Sequence, residues 1–146
     1  MKIFTLKSEV GMALVIPPFT ADMVRATIKE VEDAWNSRDP ERVAAMCTED
    51  AKWRNRVELI EGHEQVLAFL RRKWLKELDY RIRMDLWCWG VDRIAVNFRY
   101  EWRSVGGQWF RSYGNELWEF AANGLMKRRI AGINDLEIEK DDRQIL

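Results

Sequence analysis

The chain has 146 residues, of which 47% are hydrophobic and eight are tryptophan. This length fits one domain with one sizeable core, and the apolar content excludes a disordered chain. Lysine plus arginine and aspartate plus glutamate both total 24, so the formal net charge is zero. Without an overall positive field, the sequence predicts neither a nucleic-acid partner nor a membrane partner.

The cysteines and the N-terminus bear on the compartment. Cys47 and Cys88 match neither a CxxC pair nor the spacing of zinc ligands, which predicts two buried thiols in a reducing compartment. The N-terminal residues contain no long apolar stretch and no small-residue cleavage site. We therefore expect a cytoplasmic protein in which residues 1–16 form an N-terminal arm.

The first part of the chain shows helical periodicity. Thr20 can cap a helix that ends near Ser37, because apolar residues recur at helical spacing on one side of it. These residues are Val24, Ile28, Val31 and Trp35. Asp39-Pro40 is typical of a second helix start, and we expect that helix to end near Thr48.

One strand and a third helix follow. The alternation from Ala51 to Arg56 predicts a short strand. Glu61-Gly62 opens a third helix with a broad apolar side that extends to Leu78.

The rest of the chain is predicted to be strands over residues 80–89, 94–103, 108–120 and 125–134. The turn signals Gly-Val-Asp, Val-Gly-Gly and Asn-Gly separate them, which indicates an antiparallel meander. Helices first and strands afterwards make an α+β domain, with three helices on one side of an antiparallel sheet. We place this domain at residues 17–136 and a surface tail at residues 137–146.

Strand parity divides the polar residues of the segment 108–120. Ser112 and Glu116 alternate with aromatic residues on the face expected to point inward, whereas Arg111, Tyr113 and Asn115 fall on the outer face. A bulge at Gly114, where a strand glycine is often found, would reverse this assignment on one side of the bulge.

Glu116 is the candidate catalytic residue. An enclosed carboxyl group either has a raised pKa, which suits general acid or base chemistry, or takes a cationic partner. Both interpretations stay open, and in the second the partner is an arginine such as Arg56 or Arg129.

Seven other residues are candidate ligand-binding positions, because large apolar walls with a few polar groups are the usual composition of a small-molecule site. They are Trp53, Asn55, Trp74, Tyr100, Trp102, Ser112 and Trp118. The alternative is that they form plain core.

Cofactor and metal motifs are absent from the sequence. It contains no P-loop, no GxGxxG after a strand and no GxSxG elbow, and the single histidine, His63, lacks a second ligand nearby. We therefore predict no cofactor and no metal.

Arginines and aromatic residues alternate along the outer sheet face, which favours a homodimer interface over stacking of single-stranded nucleic acid at zero net charge. The residues concerned are Arg81, Arg83, Trp87, Trp89, Arg93, Arg99, Glu101 and Arg103.

Four motifs carry a family resemblance: WRNR at 53–56, KWxxELDY at 73–80, RSYGNExWEF at 111–120 and IND at 133–135. Over about residues 17–135 the chain resembles the nuclear transport factor 2-like (NTF2-like, SnoaL-like) superfamily. Within it, the chain is most similar to the bacterial family called domain of unknown function 1348. The resemblance implies a cone in which a strongly curved sheet wraps around three helices, a deep apolar pocket, and commonly a homodimer formed through the outer sheet face.

The resemblance also bears on the reaction. In the limonene epoxide hydrolases of this superfamily a Tyr-x-Asn pair helps to hold the catalytic water, and Trp53 and Asn55 stand at the corresponding positions. Ala131 lies near the place of one of their catalytic aspartates, so the resemblance argues against epoxide hydrolysis. The acid and base of the ketosteroid isomerases have no clear counterpart.

Two hypotheses for function follow from the sequence. In the first, the protein binds a small, largely apolar metabolite between helices and sheet, with cofactor-free hydrolase or isomerase activity centred on Glu116. In the second, it is a non-enzymatic homodimeric binding or protein-interaction module.

Overall fold

The computed structural model describes residues 15–145, so the predicted N-terminal arm lies almost wholly outside the described residues. Within residues 15–145, three helices, six strands and one 3-10 turn follow in chain order. They are α1 (Ala21–Ser37), α2 (Pro40–Ala44), β1 (Cys47–Asn55), β2 (Glu58–Glu61), α3 (Gly62–Lys76), β3 (Leu78–Trp89), β4 (Arg93–Arg103), β5 (Trp109–Phe120), β6 (Met126–Ile138) and the turn Lys140–Asp142.

Local sequence signals set the helix ends. The backbone N–H of Met23 donates to the Thr20 hydroxyl (3.3 Å), so Thr20 caps α1 as predicted. Asp39 caps α2 in the same way through the backbone N–H of Glu41 (3.1 Å). The second helix is shorter than predicted, because the chain already enters strand β1 at Cys47.

The six strands form one curved, unclosed sheet in the order β2-β1-β6-β5-β4-β3. Strands β3 to β6 make the predicted antiparallel meander. Strand β1 runs parallel to β6, so the sheet is mixed rather than wholly antiparallel, and β2 is a short strand that the sequence did not reveal. The parallel pair brings Trp53 beside Arg129 and Asn55 beside Ala131.

The core lies between the helices and one face of this sheet, with α1 packed on β3 and α3 packed on β1. Alternate residues of β4 point into it, as the period-2 pattern predicts. These are Ile94, Val96, Phe98, Tyr100 and Trp102, all at most 5% exposed.

The register between β4 and β5 is regular through Gly114, so no bulge reverses the faces of β5. Ser112 and Glu116 point inward, and Arg111 and Tyr113 point outward, as strand parity indicates. Glycine is required at position 114 for packing, because a Cβ atom there would collide with the Phe98 ring and with a neighbouring carbonyl oxygen.

The C-terminal residues are not the surface tail that the sequence suggests. Strand β6 continues to Ile138, and the following segment folds back so that Ile145 is buried. Glu101 on the outer sheet face accepts hydrogen bonds from the backbone N–H groups of Gln144 (3.0 Å) and Ile145 (2.7 Å). Glu101 and its partner Arg111 (2.8 Å) are therefore buried under this segment instead of being available for a dimer interface.

One further observation concerns the described chain as a whole. Within residues 15–145, no helix has the length and apolar character needed to cross a membrane.

Both cysteines are free thiols, but only Cys47 is buried, so the prediction of two buried thiols is wrong for Cys88. Cys88 is exposed because it lies at the end of the edge strand β3, where all residues from Asp85 to Trp89 are exposed on both faces.

Candidate functional site

A buried ion pair lies in the interior of the sheet. The carboxylate of Glu116 accepts hydrogen bonds from Nε (2.9 Å) and Nη2 (2.8 Å) of Arg129 on the neighbouring strand β6, and from Nε1 of Trp118 (2.7 Å). Both charged side chains are at most 3% exposed. The partner of Glu116 is thus Arg129 and not Arg56, and the pair satisfies the hydrogen-bonding needs of a carboxylate removed from water.

The Arg129 guanidinium is enclosed by aromatic rings. Its Cζ atom lies 4.8 Å from the ring centroid of Trp35 and 4.6 Å from that of Trp53, and the two indole rings are 25° from parallel. The remaining nitrogen, Nη1, donates to Oδ1 of Asn55 (3.2 Å). Arg129 therefore joins Glu116 to Asn55 through the core.

The candidate ligand pocket opens beside Asn55, where α3 meets the sheet. Its volume is about 360 Å³. It is bounded by the β1–β2 turn, by α3 and by the middle of β4. The lining residues are Asn55, Arg56, Val57, Glu58, Phe69, Arg72, Lys73, Lys76, Glu77 and Tyr100.

Two buried charges at the C-terminal end of α3 form one wall of the pocket. Nζ of Lys73 donates to Glu77 one turn later (2.8 Å), and their side chains are 6% and 11% exposed. The same ammonium group lies 4.4 Å from the ring centroid of Tyr100 and 4.9 Å from that of Tyr80. Carboxylate and ring faces together compensate for the removal of Lys73 from water.

A second polar chain runs along the rim. Trp102 Nε1 donates to Oγ of Ser112 (3.0 Å), and Ser112 donates to Oδ1 of Asp135 (2.5 Å). Asp135 also accepts from Nη2 of Arg56 (2.7 Å). Burial alone would raise the pKa of Asp135, but the hydrogen bonds from Arg56 and Ser112 outweigh it, so the pKa lies below its ordinary value.

Of the predicted site residues, only Asn55 and Tyr100 line the pocket. The others lie behind its wall: Trp53 on Arg129, Trp74 against Trp35 and Tyr80, Trp102 and Ser112 in the rim chain, and Trp118 beside Glu116. Their aromatic rings fill the space that the sequence assigns to a deep apolar cavity. Glu116 is likewise absent from the lining, and its catalytic role stays a prediction.

Lys73 and Glu77 are the residues that sequence reasoning missed. A signal for Lys73 existed, because Val66, Phe69, Leu70 and Lys73 follow the spacing of one buried helix stripe, and a lysine ends it. A charged residue on such a stripe requires a partner, and Glu77 stands four residues later.

The described residues include no group of three or more histidine, cysteine, aspartate or glutamate side chains suited to a metal ion. Cys47, the buried thiol, contacts the carbonyl of Val43 (3.8 Å). Burial raises its pKa to about 12, so it is no nucleophile near neutral pH.

Three helices on one face of a curved six-stranded sheet define an NTF2-like cone fold. Within that class the chain belongs to the DUF1348 family, a family described as protein of unknown function, whose model matches residues 17–146. The resemblance seen in the sequence motifs is thereby confirmed. None of the curated proteins matches the sequence.

Solved structures share the fold at low identity. One is an NTF2-like protein of unknown function from Burkholderia pseudomallei (22% identity, 76% of this chain and 90% of that one, TM-score 0.69). Another is SalBIII, an epoxide hydrolase/cyclase-like enzyme in pyran ring formation (13%, 77% and 92%, 0.69). A third is a hexachlorocyclohexane dehydrochlorinase, LinA type 2 (14%, 82% and 95%, 0.64). At these identities the likeness concerns the fold alone.

Proposed function

We propose that the protein binds a small organic molecule in the pocket between α3 and the sheet. The observation that carries this proposal is a cavity of about 360 Å³ whose polar groups are held in place from behind. Asn55 is fixed by Arg129, and Lys73 is fixed by Glu77. Pre-formed clefts with a few oriented polar groups are the usual sites for small ligands, at volumes of about 300–1,000 Å³.

The cone fold supports the same proposal, because enzymes such as SalBIII and LinA share it. A cytoplasmic location is part of the proposal and is supported by the two free thiols. The apolar part of the ligand would contact Phe69 and Tyr100, which are the aromatic residues of the lining.

Proton transfer to a ligand requires a carboxyl group that reaches it. Glu77 lines the pocket, whereas Glu116 lies behind Asn55 with three hydrogen bonds to its two oxygens. A hydrolase or isomerase reaction of this protein would therefore use Glu77 for contact with the substrate and Glu116 to hold Arg129 in place.

Blocking the pocket mouth tests the binding proposal. Val57 lines the pocket and is 93% exposed, so Val57→Trp narrows the opening without altering the core. Leu59→Trp is the matched control, because Leu59 is 78% exposed on β2 and outside the lining. A thermal-shift screen of small acids, amides, esters, epoxides and amines should find compounds that stabilise the wild type and Leu59→Trp but not Val57→Trp. The proposal would be refuted if no compound stabilised the protein, or if the stabilising compounds also stabilised Val57→Trp to the same extent.

The outer sheet face supports a second candidate function, a homodimeric binding or interaction module. Tyr113, Leu117 and Leu136 are each at least 44% exposed on adjacent strands of that face. Exposed large apolar side chains along one sheet face are compatible with a protein interface. Sedimentation should show a dimer that Leu117→Glu dissociates and the control Leu75→Glu, on the exposed side of α3, does not. A wild-type monomer at tens of micromolar would exclude this interface.

A further inference from the structure

The charges around the pocket are not balanced. Within the lining, Arg72 pairs with Glu58 (2.6 Å) and Lys73 pairs with Glu77 (2.8 Å). Arg56 pairs with Asp135 (2.7 Å), which lies just outside the lining. The fourth cation, Lys76, has no carboxylate partner among the residues that the structure describes.

The position of Lys76 places this unpaired charge at the rim. Its Nζ lies 5.9 Å from the ring centroid of Trp102, and its field contributes to the lowered pKa of Asp135. Asp135 already accepts from Arg56 and Ser112. Counted over the described side chains, the pocket with Asp135 therefore carries an excess of one positive charge.

The neutral polar group of the pocket is also a donor. Because Arg129 Nη1 donates to Oδ1 of Asn55, the amide must present its Nδ2 group elsewhere, and no acceptor within residues 15–145 bonds to it. Asn55 lines the pocket, so this NH2 group is available to a ligand. Lys73 also lines the pocket, but its ammonium group is already directed to Glu77 and to the ring faces of Tyr80 and Tyr100.

The lining also includes apolar surface. Phe69 and Tyr100 expose ring surface to the cavity, and Val57 covers its rim. A ligand that matches both parts has an apolar or aromatic body and a single acceptor group with negative charge.

We infer that the pocket selects small monocarboxylic acids, with the carboxylate held by Asn55 and Lys76 and the apolar body against Phe69 and Tyr100. This inference rests on the proposed function and narrows its ligand class. Glu77 favours the same choice, because it neutralises Lys73 and leaves Lys76 as the charge that the ligand compensates.

Matched pairs of compounds test the charge requirement. The probes are benzoate, phenylacetate and 3-phenylpropionate, each compared with its primary amide, and phenethylamine as a cation of similar shape. Binding is measured by calorimetry at low and high salt. At least one acid should bind, with its amide at least about tenfold weaker, since a charge-assisted hydrogen bond replaces a neutral one. Raising the salt concentration should weaken the binding of the acid and leave the binding of the amide unchanged.

A charge variant assigns the effect to Lys76. Lys76→Gln should weaken the binding of the acid about three- to tenfold and leave the binding of the amide unchanged. The effect is modest because Lys76 is exposed and its charge is partly screened. Lys127→Gln is the matched control, since Lys127 is a half-exposed lysine of β6 outside the lining. Retained thermal stability of Lys76→Gln would show that the loss is not due to unfolding.

The outcomes separate the two proposals. If amides or the amine bind as tightly as the acids, and Val57→Trp abolishes that binding, the pocket is a ligand site and the carboxylate inference is wrong. The inference is equally wrong if Lys76→Gln leaves the preference for acids intact. If no compound of the wider screen binds, the proposed function itself fails.

Discussion

Replacing Glu116 by glutamine tests the contribution of the buried ion pair to stability. The substitution keeps the size of the side chain and removes its charge, which leaves the Arg129 guanidinium unpaired at 3% exposure. The amide nitrogen of glutamine cannot accept, so at least one of the two hydrogen bonds from Arg129 is lost. Removing one partner of a buried pair costs about 3–5 kcal/mol, which lowers the Tm of a domain of this size by about 10–16 °C.

Urea unfolding of a double-mutant cycle measures this effect. Arg129→Met removes the other charge, and the double variant leaves no buried charge unpaired. Its loss of stability should be smaller than the sum of the single losses by about 1–3 kcal/mol. Glu41→Gln is the control, because Glu41 pairs with Arg71 (2.7 Å) at the surface, where both side chains are more than half exposed. We expect a loss of less than about 1 kcal/mol there.

Two results would refute this account of Glu116. Additive single losses would mean that the two charges do not stabilise each other. A variant Glu116→Gln that unfolds like the wild type but loses turnover of a bound substrate would instead support the catalytic role predicted from the sequence.

Three further predictions concern packing, thiol reactivity and pH. Gly114→Ala should lower the free energy of unfolding by about 1–3 kcal/mol, because the added Cβ collides with the Gly132 carbonyl oxygen and with the Phe98 ring, and Phe98→Leu should relieve only the second collision. At pH 8 a disulfide reagent should label one thiol per native chain, the exposed Cys88, and also Cys47 in urea. Because the folded-state pKa of Asp135 is lowered, its stabilising contribution is present above the unfolded pKa of about 3.9 and lost as pH falls through the folded value. The destabilisation caused by Asp135→Asn should therefore shrink below about pH 4.

Each of these has a contrary result. A Gly114→Ala variant as stable as the wild type would show that the sheet gives way around the added methyl group. Labelling of two thiols in the native protein, or of one in Cys88→Ser, would show that Cys47 is accessible. The free energies of unfolding of Asp135→Asn and of the wild type could also differ by the same amount down to pH 2. That result would mean that Arg56 and Ser112 do not favour the ionised carboxylate of Asp135.

Local periodicity was sufficient to predict the main elements. The stripe on α1 and the alternation on β4 each repeat over several turns or residues, and both segments are buried as expected. Strand parity assigned Ser112 and Glu116 to the interior because the β4–β5 register is regular. In a repeated pattern several residues support the same assignment, so one exception does not change it. These predictions are confirmed for that reason.

Contacts between residues distant in sequence were not predictable in the same way. The parallel pairing of β1 with β6 joins Trp53 to Arg129 across more than seventy residues, and no local pattern specifies it. The C-terminal segment has a mostly polar sequence, but Glu101 holds it against the sheet by accepting hydrogen bonds from its backbone N–H groups. Every residue other than proline has such a group, so the sequence does not indicate which ones Glu101 binds. The space expected to be an apolar cavity is filled because several large rings converge from separate elements.

The interior ion pair and the pocket are parts of one connected arrangement. Glu116 orients Arg129, Arg129 orients Asn55, and Asn55 presents its amide N–H groups to the cavity. Loss of ligand binding in a Glu116 variant would therefore not identify Glu116 as a group that touches the ligand, because an amide free to rotate gives the same loss. Asn55→Leu separates the two cases, since it removes the amide donor without adding a negative charge and leaves Glu116 and Arg129 unchanged. If Asn55→Leu loses carboxylate binding while the Glu116–Arg129 pair keeps the protein folded, the polar interior of this cone serves to hold one amide group at the ligand.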